Sequence, residues 1–262
     1  MGAKRELTDD EGEPVRLGEV HRVVSLVPSL TEAVAATAPG LLIGATDWCT
    51  HPADLDVARI GGTKNPDVAR ILALRPDLVI ANEEENRAPD LAALRAAGAA
   101  VWTTRIRDLD QALTSLRRLL VEACQLPEPH WLLSAQKAWA DLTPPKVPVP
   151  AVVPIWRRPW MVLGADTFAA DLLRRLGVTA VTAGHPGRYP RVPLPELLDA
   201  GAELLVLPDE PYRFTATDGP DAFPALPYAL LSGRHLTWYG PSLAEAPAVL
   251  TAQLAARKLL GR

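Results

Sequence analysis

Side chains able to do chemistry in this chain collect just beyond its apolar runs. Early in the sequence these are Ser29 and Thr31, then Asp47, Trp48, Cys49 and His51, then the loop Gly61–Pro66 (GGTKNP), and finally Asn82, Glu83, Glu84, Glu85, Asn86 and Arg87. The later set has a different character: Trp156, Arg157, Arg158, Trp160, Arg188, Tyr189, Arg191, Asp209, Glu210, Tyr212, Arg213, Trp238 and Tyr239. Four of the seven tryptophans (Trp48, Trp156, Trp160 and Trp238) fall in these sets. Flat aromatic walls suit a flat or bulky ligand, and arginines recognise carboxylate or phosphate groups. Asp47, Cys49 and His51 could donate to a metal, but a closed site needs about four ligands and this segment supplies at most three; a capped loop with a buried thiol is the simpler reading. Glu83–Glu85 read either as a solvated loop or as carboxylates for a ligand or for acid–base work.

The standard cofactor and nucleophile signatures are missing. No GxGxxG follows a strand, and GxxxxGK[ST], GxSxG, HExxH and paired CxxC are all absent. The two cysteines, Cys49 and Cys124, lie far apart and suggest a reducing compartment. The charge balance is 27 − 31 = −4, which argues against general nucleic-acid binding or attachment to an anionic membrane. No apolar run approaches the ~18 residues of a membrane span, and the first residues, MGAKRELTDDEGEPVRLGE, hold no apolar export segment. A cytoplasmic location is therefore expected for the chain as it stands, and an extracytoplasmic one if a signal has been removed.

The elements that must position these residues alternate. LTDDEGEPVRLGE (7–19) reads as an edge hairpin. RVVSLV, LLIGATDW, PDLVIAN and AAVWTTR read as strands, interleaved with helices over TEAVAATA, PDVARILAL, PDLAALRAAG and LDQALTSLRRLLVEA. Pro28 ends the first strand, with Ser29 or Thr31 expected to cap a helix beginning near Glu32. The run QLPEPHWLLSAQKAWADLTPPKVPVP holds one proline-fenced helix of roughly 15 residues, about 20 Å long. Afterwards VPAVVPIW and AELLVLP read as strands, and GADTFAADLLRRLG, PLPELLDAG and the closing SLAEAPAVLTAQLAARKLLG as helices. Trp102, Trp131 and Trp139 are assigned to packing. The fold class is α/β: two three-layer, Rossmann-like lobes with central, mainly parallel sheets, joined by a single long helix. The expected boundaries are 1–126, 127–143 and 144–262.

TDDEGEPVRLGEVHRVVSLVPSLTE followed by IGGTKNPDVARILALRPDLVIA resembles the class III (helical-backbone) substrate-binding proteins, which serve importers of cobalamin, haem and iron siderophores. The resemblance covers nearly the whole chain, more closely over residues 7–105 than after 145. It implies a non-catalytic protein holding a metal chelate, a cobalamin-like corrinoid before a siderophore or haem, in a cleft between the lobes. Ser29, Trp48, His51, Glu84, Arg87, Trp156, Arg157, Arg158, Trp160, Tyr212 and Trp238 would form the site. The tryptophans would stack on the ligand, and Arg87, Arg157 and Arg158 would meet its anionic groups. No direct metal ligand, catalytic residue or cofactor is assigned, a bound cobalamin or other metal chelate being the candidate for the last. The partner is thus a small chelate rather than a nucleic acid or a membrane. Ala69 and Pro195 stand where importer receptors similar to the cobalamin receptor carry permease-docking glutamates, with Asp67 and Glu196 nearby. This departure argues for a cytoplasmic branch without a transporter. The alternatives are an importer receptor and a small-molecule enzyme built on Glu83–Glu85.

Overall fold

The structure is a computed structural model that describes residues 4–143 and 145–257. The ends of the two expected lobes at residues 1–3 and 258–262, with the tail of the closing helix, and residue 144 lie outside the described residues. The chain divides into two compact units. One comprises residues 1–106, 110–133 and 239–241, and the other residues 107–109, 134–238 and 242–262.

The first unit opens with an antiparallel hairpin, β1 (Arg5–Thr8) and β2 (Pro14–Leu17), paired in register from Arg5–Leu17 to Thr8–Pro14. Its turn is built on Asp9, whose buried carboxylate accepts from the Glu11, Glu13 and Thr103 N–H groups. Strand β3 (Val23–Ser25) runs into helix α1 (Pro28–Thr37). The helix starts four residues earlier than the sequence reading placed it. Pro28 occupies its first turn, where a missing N–H costs nothing and a fixed φ suits the helix, and Val27 stands at the cap without a side-chain bond. Thr31 instead bonds back to the Val27 carbonyl at 2.9 Å.

Strands β4 (Leu42–Ala45) and β5 (Ala58–Arg59), helix α2 (Val68–Ala73), strand β6 (Leu78–Asn82), helix α3 (Ala88–Ala96) and strand β7 (Val101–Thr104) complete a parallel five-stranded sheet of order β5-β4-β3-β6-β7. All five residues of β6 are buried, as expected for a central strand covered on both faces. Gly98 ends α3 at φ +87°, a left-handed conformation that favours glycine. The next helix departs from one regular run: α4 (Leu109–Arg117) passes into a π-helical segment, Arg118–Ala123. Arg5 donates to the Glu122 and Ala123 carbonyls, satisfying acceptors that the end of a helix leaves open.

Helix α5 (His130–Ala140) is the proline-fenced helix, with 11 residues rather than 15. The prolines act as limits outside it: Leu132 N–H already bonds to the Pro129 carbonyl. The chain passes from the first unit to the second between Leu133 and Ser134.

In the second unit, β8 (Val149–Val152) and β9 (Pro154–Trp156) replace the single strand expected over 149–156. β8 joins the main sheet, whereas Pro154 has no N–H for a central ladder, and β9 turns away to pair antiparallel with β10 (Met161–Val162). Helix α6 (Phe168–Arg175), strand β11 (Val178–Ala180), helix α7 (Leu194–Leu198), strands β12 (Leu204–Pro208) and β13 (Tyr228–Leu231), and helices α8 (Gly233–Thr237) and α9 (Ala246–Ala255) follow. The sheet is parallel, of order β11-β8-β12-β13. β11, β13 and α8 are absent from the sequence reading, because segments of three to five residues carry little periodicity. Val152, Leu205, Leu207, Phe214 and Phe223 centre the core. Among the described residues, no helix is long and apolar enough to cross a membrane.

Candidate functional site

Ligands bind open parallel sheets beyond the carboxyl ends of their strands, and both units place the singled-out residues there. In the first unit the loop after β4 is held from beneath by Arg59. Its guanidinium donates to the carbonyls of Thr46 (3.0 Å), Cys49 (2.9 Å) and Leu55 (3.1 Å). Cys49 is fully buried, with Thr31 and Thr46 hydroxyls 3.0 and 3.1 Å from its sulfur. Burial pushes this thiol up from its ordinary value, so Cys49 anchors the loop rather than acting as a nucleophile. Beside it Trp48 is 68% exposed. His51 is half-buried, its Nδ1 3.3 Å from the Thr50 hydroxyl.

The acidic loop after β6 is fixed by two buried asparagines. Asn82 Oδ1 accepts from the Glu84 and Glu85 N–H groups, and its amide donates to both oxygens of Thr104. Asn86 Oδ1 accepts from Asn82 N–H, while its amide reaches the Leu26 carbonyl at the end of β3 and the Thr63 carbonyl. Lys64 Nζ donates to the Glu84 carbonyl. The three carboxylates thus ride on a clamped turn. Glu83 lies 3.7 Å from Arg105, and desolvation raises the Glu85 carboxyl above the ordinary carboxylate range, opposed by Lys64. Arg87, at the start of α3, is exposed; it donates to Asn65 Oδ1 and lies 3.8 Å from Asp90. Ser29 is buried in the first turn of α1.

In the second unit the turn between β9 and β10 carries Trp156, Arg157, Arg158 and Trp160. Arg158 adopts a left-handed φ of +66° and is exposed, whereas the Arg157 side chain is only 12% exposed. Trp160 stacks on Phe214 (6.2 Å, 3° between planes) and meets Phe223 edge-on at 5.4 Å. Tyr212 packs on Phe214 at 4.6 Å and edge-on against Trp156 at 5.5 Å. The rings grade outward from the core: Phe223 is fully buried, Trp160 and Tyr212 are partly covered, and Trp156 is 43% exposed. Trp238 sits deeper, 9% exposed, its indole N–H donating to Glu210 at 2.9 Å.

Two residues outside the sequence-based set complete this cluster. Asp218 bonds to Arg157 Nη1 and accepts from the Tyr212 hydroxyl at 2.6 Å. Asp221 takes a forked pair from Arg157, Nη1 at 3.0 Å and Nη2 at 2.6 Å. The Tyr212 hydrogen bond holds Asp218 below the usual carboxylate range, and the Arg157 bonds do the same for Asp221. The same contacts raise Arg157, through Asp221 first, and Tyr212, through Asp218. Both aspartates belong to the turn DGPD, a signal legible as a turn but not as a partner for Arg157. Among the described residues, no group of three or more His, Cys, Asp or Glu is gathered to hold a metal.

No family model matches the chain. It is 30% identical to the vitamin B12-binding protein of Vibrio cholerae serotype O1 over 101 residues, spanning 38% of this chain and 37% of that protein. It is 25% identical to the vitamin B12-binding protein of Photorhabdus laumondii over 197 residues, 71% and 70% of the two chains. In structure it matches the periplasmic vitamin B12 binding protein BtuF of Vibrio cholerae with a TM-score of 0.72 at 18% identity, covering 90% and 97% of the chains. The periplasmic haem-binding protein RhuT of Roseiflexus sp. RS-1 gives a TM-score of 0.72 at 20% identity, covering 91% and 99%. The structural likeness is one of fold. It bears out the resemblance read from the sequence: the chain has the fold of the helical-backbone substrate-binding proteins and is similar in sequence to their vitamin B12-binding members.

Proposed function

We propose that the protein is a non-catalytic binding protein for a metal chelate, with a cobalamin-like corrinoid as the first choice and haem or a ferric siderophore next. The observation carrying this reading is the graded cluster Trp156, Trp160, Tyr212, Phe214 and Phe223 at the ligand-facing edge of the second sheet, in a chain similar to vitamin B12-binding proteins. Trp156 and Trp160 offer faces for a flat macrocycle, while Trp48, His51, Glu84 and Arg87 line the corresponding loops of the first unit. Ser29 lies buried in the first turn of α1, and in the second unit Trp238 holds Glu210 through its indole N–H. The test is a titration of the purified protein with cobalamin, haem and a ferric siderophore while following Trp fluorescence. Saturable quenching by one of them, weakened in a Trp156→Ala, Trp160→Ala double variant, supports the reading. Quenching by none overturns it.

The destination of the ligand is a separate part of the proposal. Ala69 and Pro195 are exposed, and neither can ion-pair with a permease arginine. Asp67 is occupied in capping α2, accepting from Arg70 N–H at 2.9 Å. These features favour a cytoplasmic carrier or sequestering protein. The importer-receptor reading is favoured by the periplasmic solved structures of the same fold. Fractionation of the native cell, with capture of the protein by a detergent-solubilised permease, separates the two: a periplasmic protein that is captured is a receptor.

A further inference from the structure

Arg157 lies in the aromatic cluster, where an arginine meeting an anionic ligand group is expected, yet three of its five N–H donors already serve two aspartates of this chain. Both terminal nitrogens are bonded to carboxylates, with Nη1 shared between Asp218 and Asp221 and Nη2 held by Asp221. The acceptors are themselves fixed: Asp221 Oδ1 takes the Gly219 N–H at 2.8 Å, and Asp218 Oδ2 takes the Tyr212 hydroxyl. On its other side the guanidinium lies 5.3 Å from the centre of the Trp160 ring. A single side chain therefore touches the supports of Tyr212 and the ring of Trp160 at once. Arg157 and Arg158 balance Asp218 and Asp221 in charge, 2 − 2 = 0. A ligand carboxylate taking the same fork of Arg157 would have to displace a charge-assisted pair.

We propose that Arg157 is a positioning residue. Forked onto Asp218 and Asp221, it locks Trp160 and Tyr212 into one rigid wall, its charge met by the two aspartates rather than by the ligand. The inference rests on the chelate-binding reading above. It replaces the sequence-based role of Arg157 as an anion contact. Its function is preorganisation: rings already held in place lose little freedom when the ligand arrives.

The experiment compares the full-length wild type with Arg157→Lys, Arg157→Ala, Asp221→Asn and the Arg157→Ala, Asp221→Asn double variant, with cobalamin and haem as probes. Affinity is measured by Trp quenching at low and high salt. Near-UV circular dichroism of the ligand-free proteins reports ring order, and far-UV melting checks that each variant folds. Lysine keeps the charge but cannot fork onto two carboxylates. Arg157→Lys and Asp221→Asn should therefore each weaken the bound chelate about tenfold, with the double variant no weaker than the worse single. Salt should have little effect on any of them, and the near-UV signal should change in both singles. The proposal is overturned if Arg157→Lys binds as the wild type does while Arg157→Ala fails. It is also overturned if the losses multiply in the double variant and the wild type alone is salt-sensitive. Should the wild type bind neither chelate, the reading above fails and the lock is judged on the ligand-free spectra. A changed near-UV signal in Arg157→Lys then supports it, and an unchanged one sinks it.

Discussion

The loops at the ligand-facing edges of the two sheets are stabilised in opposite ways. In the first unit, side chains bind backbone: Asn82, Asn86 and Arg59 are spent on carbonyls and N–H groups, which fixes the turn that carries Glu83–Glu85. In the second unit, side chains bind side chains: Arg157, Asp218, Asp221 and Tyr212 close on one another, and rings are displayed. A backbone clamp sets where a loop runs but leaves the character of its outward groups free. A side-chain lock fixes the outward groups themselves. The difference predicts that damage to the first will appear as lost stability and damage to the second as lost binding.

The largest effect is expected from Asn82→Ala. It strands the Glu84 and Glu85 N–H groups and removes the amide that donates to the Thr104 carbonyl and hydroxyl oxygens, and unsatisfied partners cost about 1–3 kcal/mol each. Urea unfolding should show a loss of about 2–4 kcal/mol, and a loss within error would end the claim that Asn82 is a clamp. Next, removing Trp156 or Trp160 should weaken chelate binding by about 1–3 kcal/mol, the range for a buried aromatic anchor, measured by fluorescence titration. An unchanged affinity in the double variant would erase the contrast between the units.

The acid response sharpens the contrast further. Asp218 and Asp221 have lowered values in the folded protein, so their contribution is fully present above the ordinary aspartate value of about 3.9 and is lost as pH falls through the lower folded values. The near-UV signal of the ligand-free wall should hold from neutral pH down to about 4 and fail only below it. Loss near pH 5 would mean that the aspartates are not held by Arg157 and Tyr212. The smallest effect has the opposite sign. Glu85 is raised by desolvation, so its charged form opposes folding as pH rises. Glu85→Gln should stabilise the protein by under about 1 kcal/mol at neutral pH and by nothing near pH 4, as read by thermal melts at the two pH values.

The elements legible in the sequence are those with a strong local signal: β6 as an unbroken apolar run, α3 with Gly98 behind it, and the β1–β2 hairpin around its acidic turn. Helix α1 was misplaced because Pro28 can end a strand or begin a helix, and only the extended φ of Val27 decides between them. At the candidate site, residue types showed where aromatic and charged groups gather. They could not show the pairing of Arg157 with Asp218 and Asp221, which are separated from it by 61 and 64 positions. That pairing depends on how two loops are brought together, which neither spacing nor composition encodes.

The hairpin that opens the chain has a consequence for synthesis. Asp10 accepts from Ser115 and Arg118, Arg118 also reaches the Thr8 carbonyl, and Arg5 reaches residues 122 and 123. These partners lie more than a hundred positions downstream. On the ribosome the hairpin is therefore made long before these partners, and it waits for the π-helical turn to emerge before these bonds can fasten it.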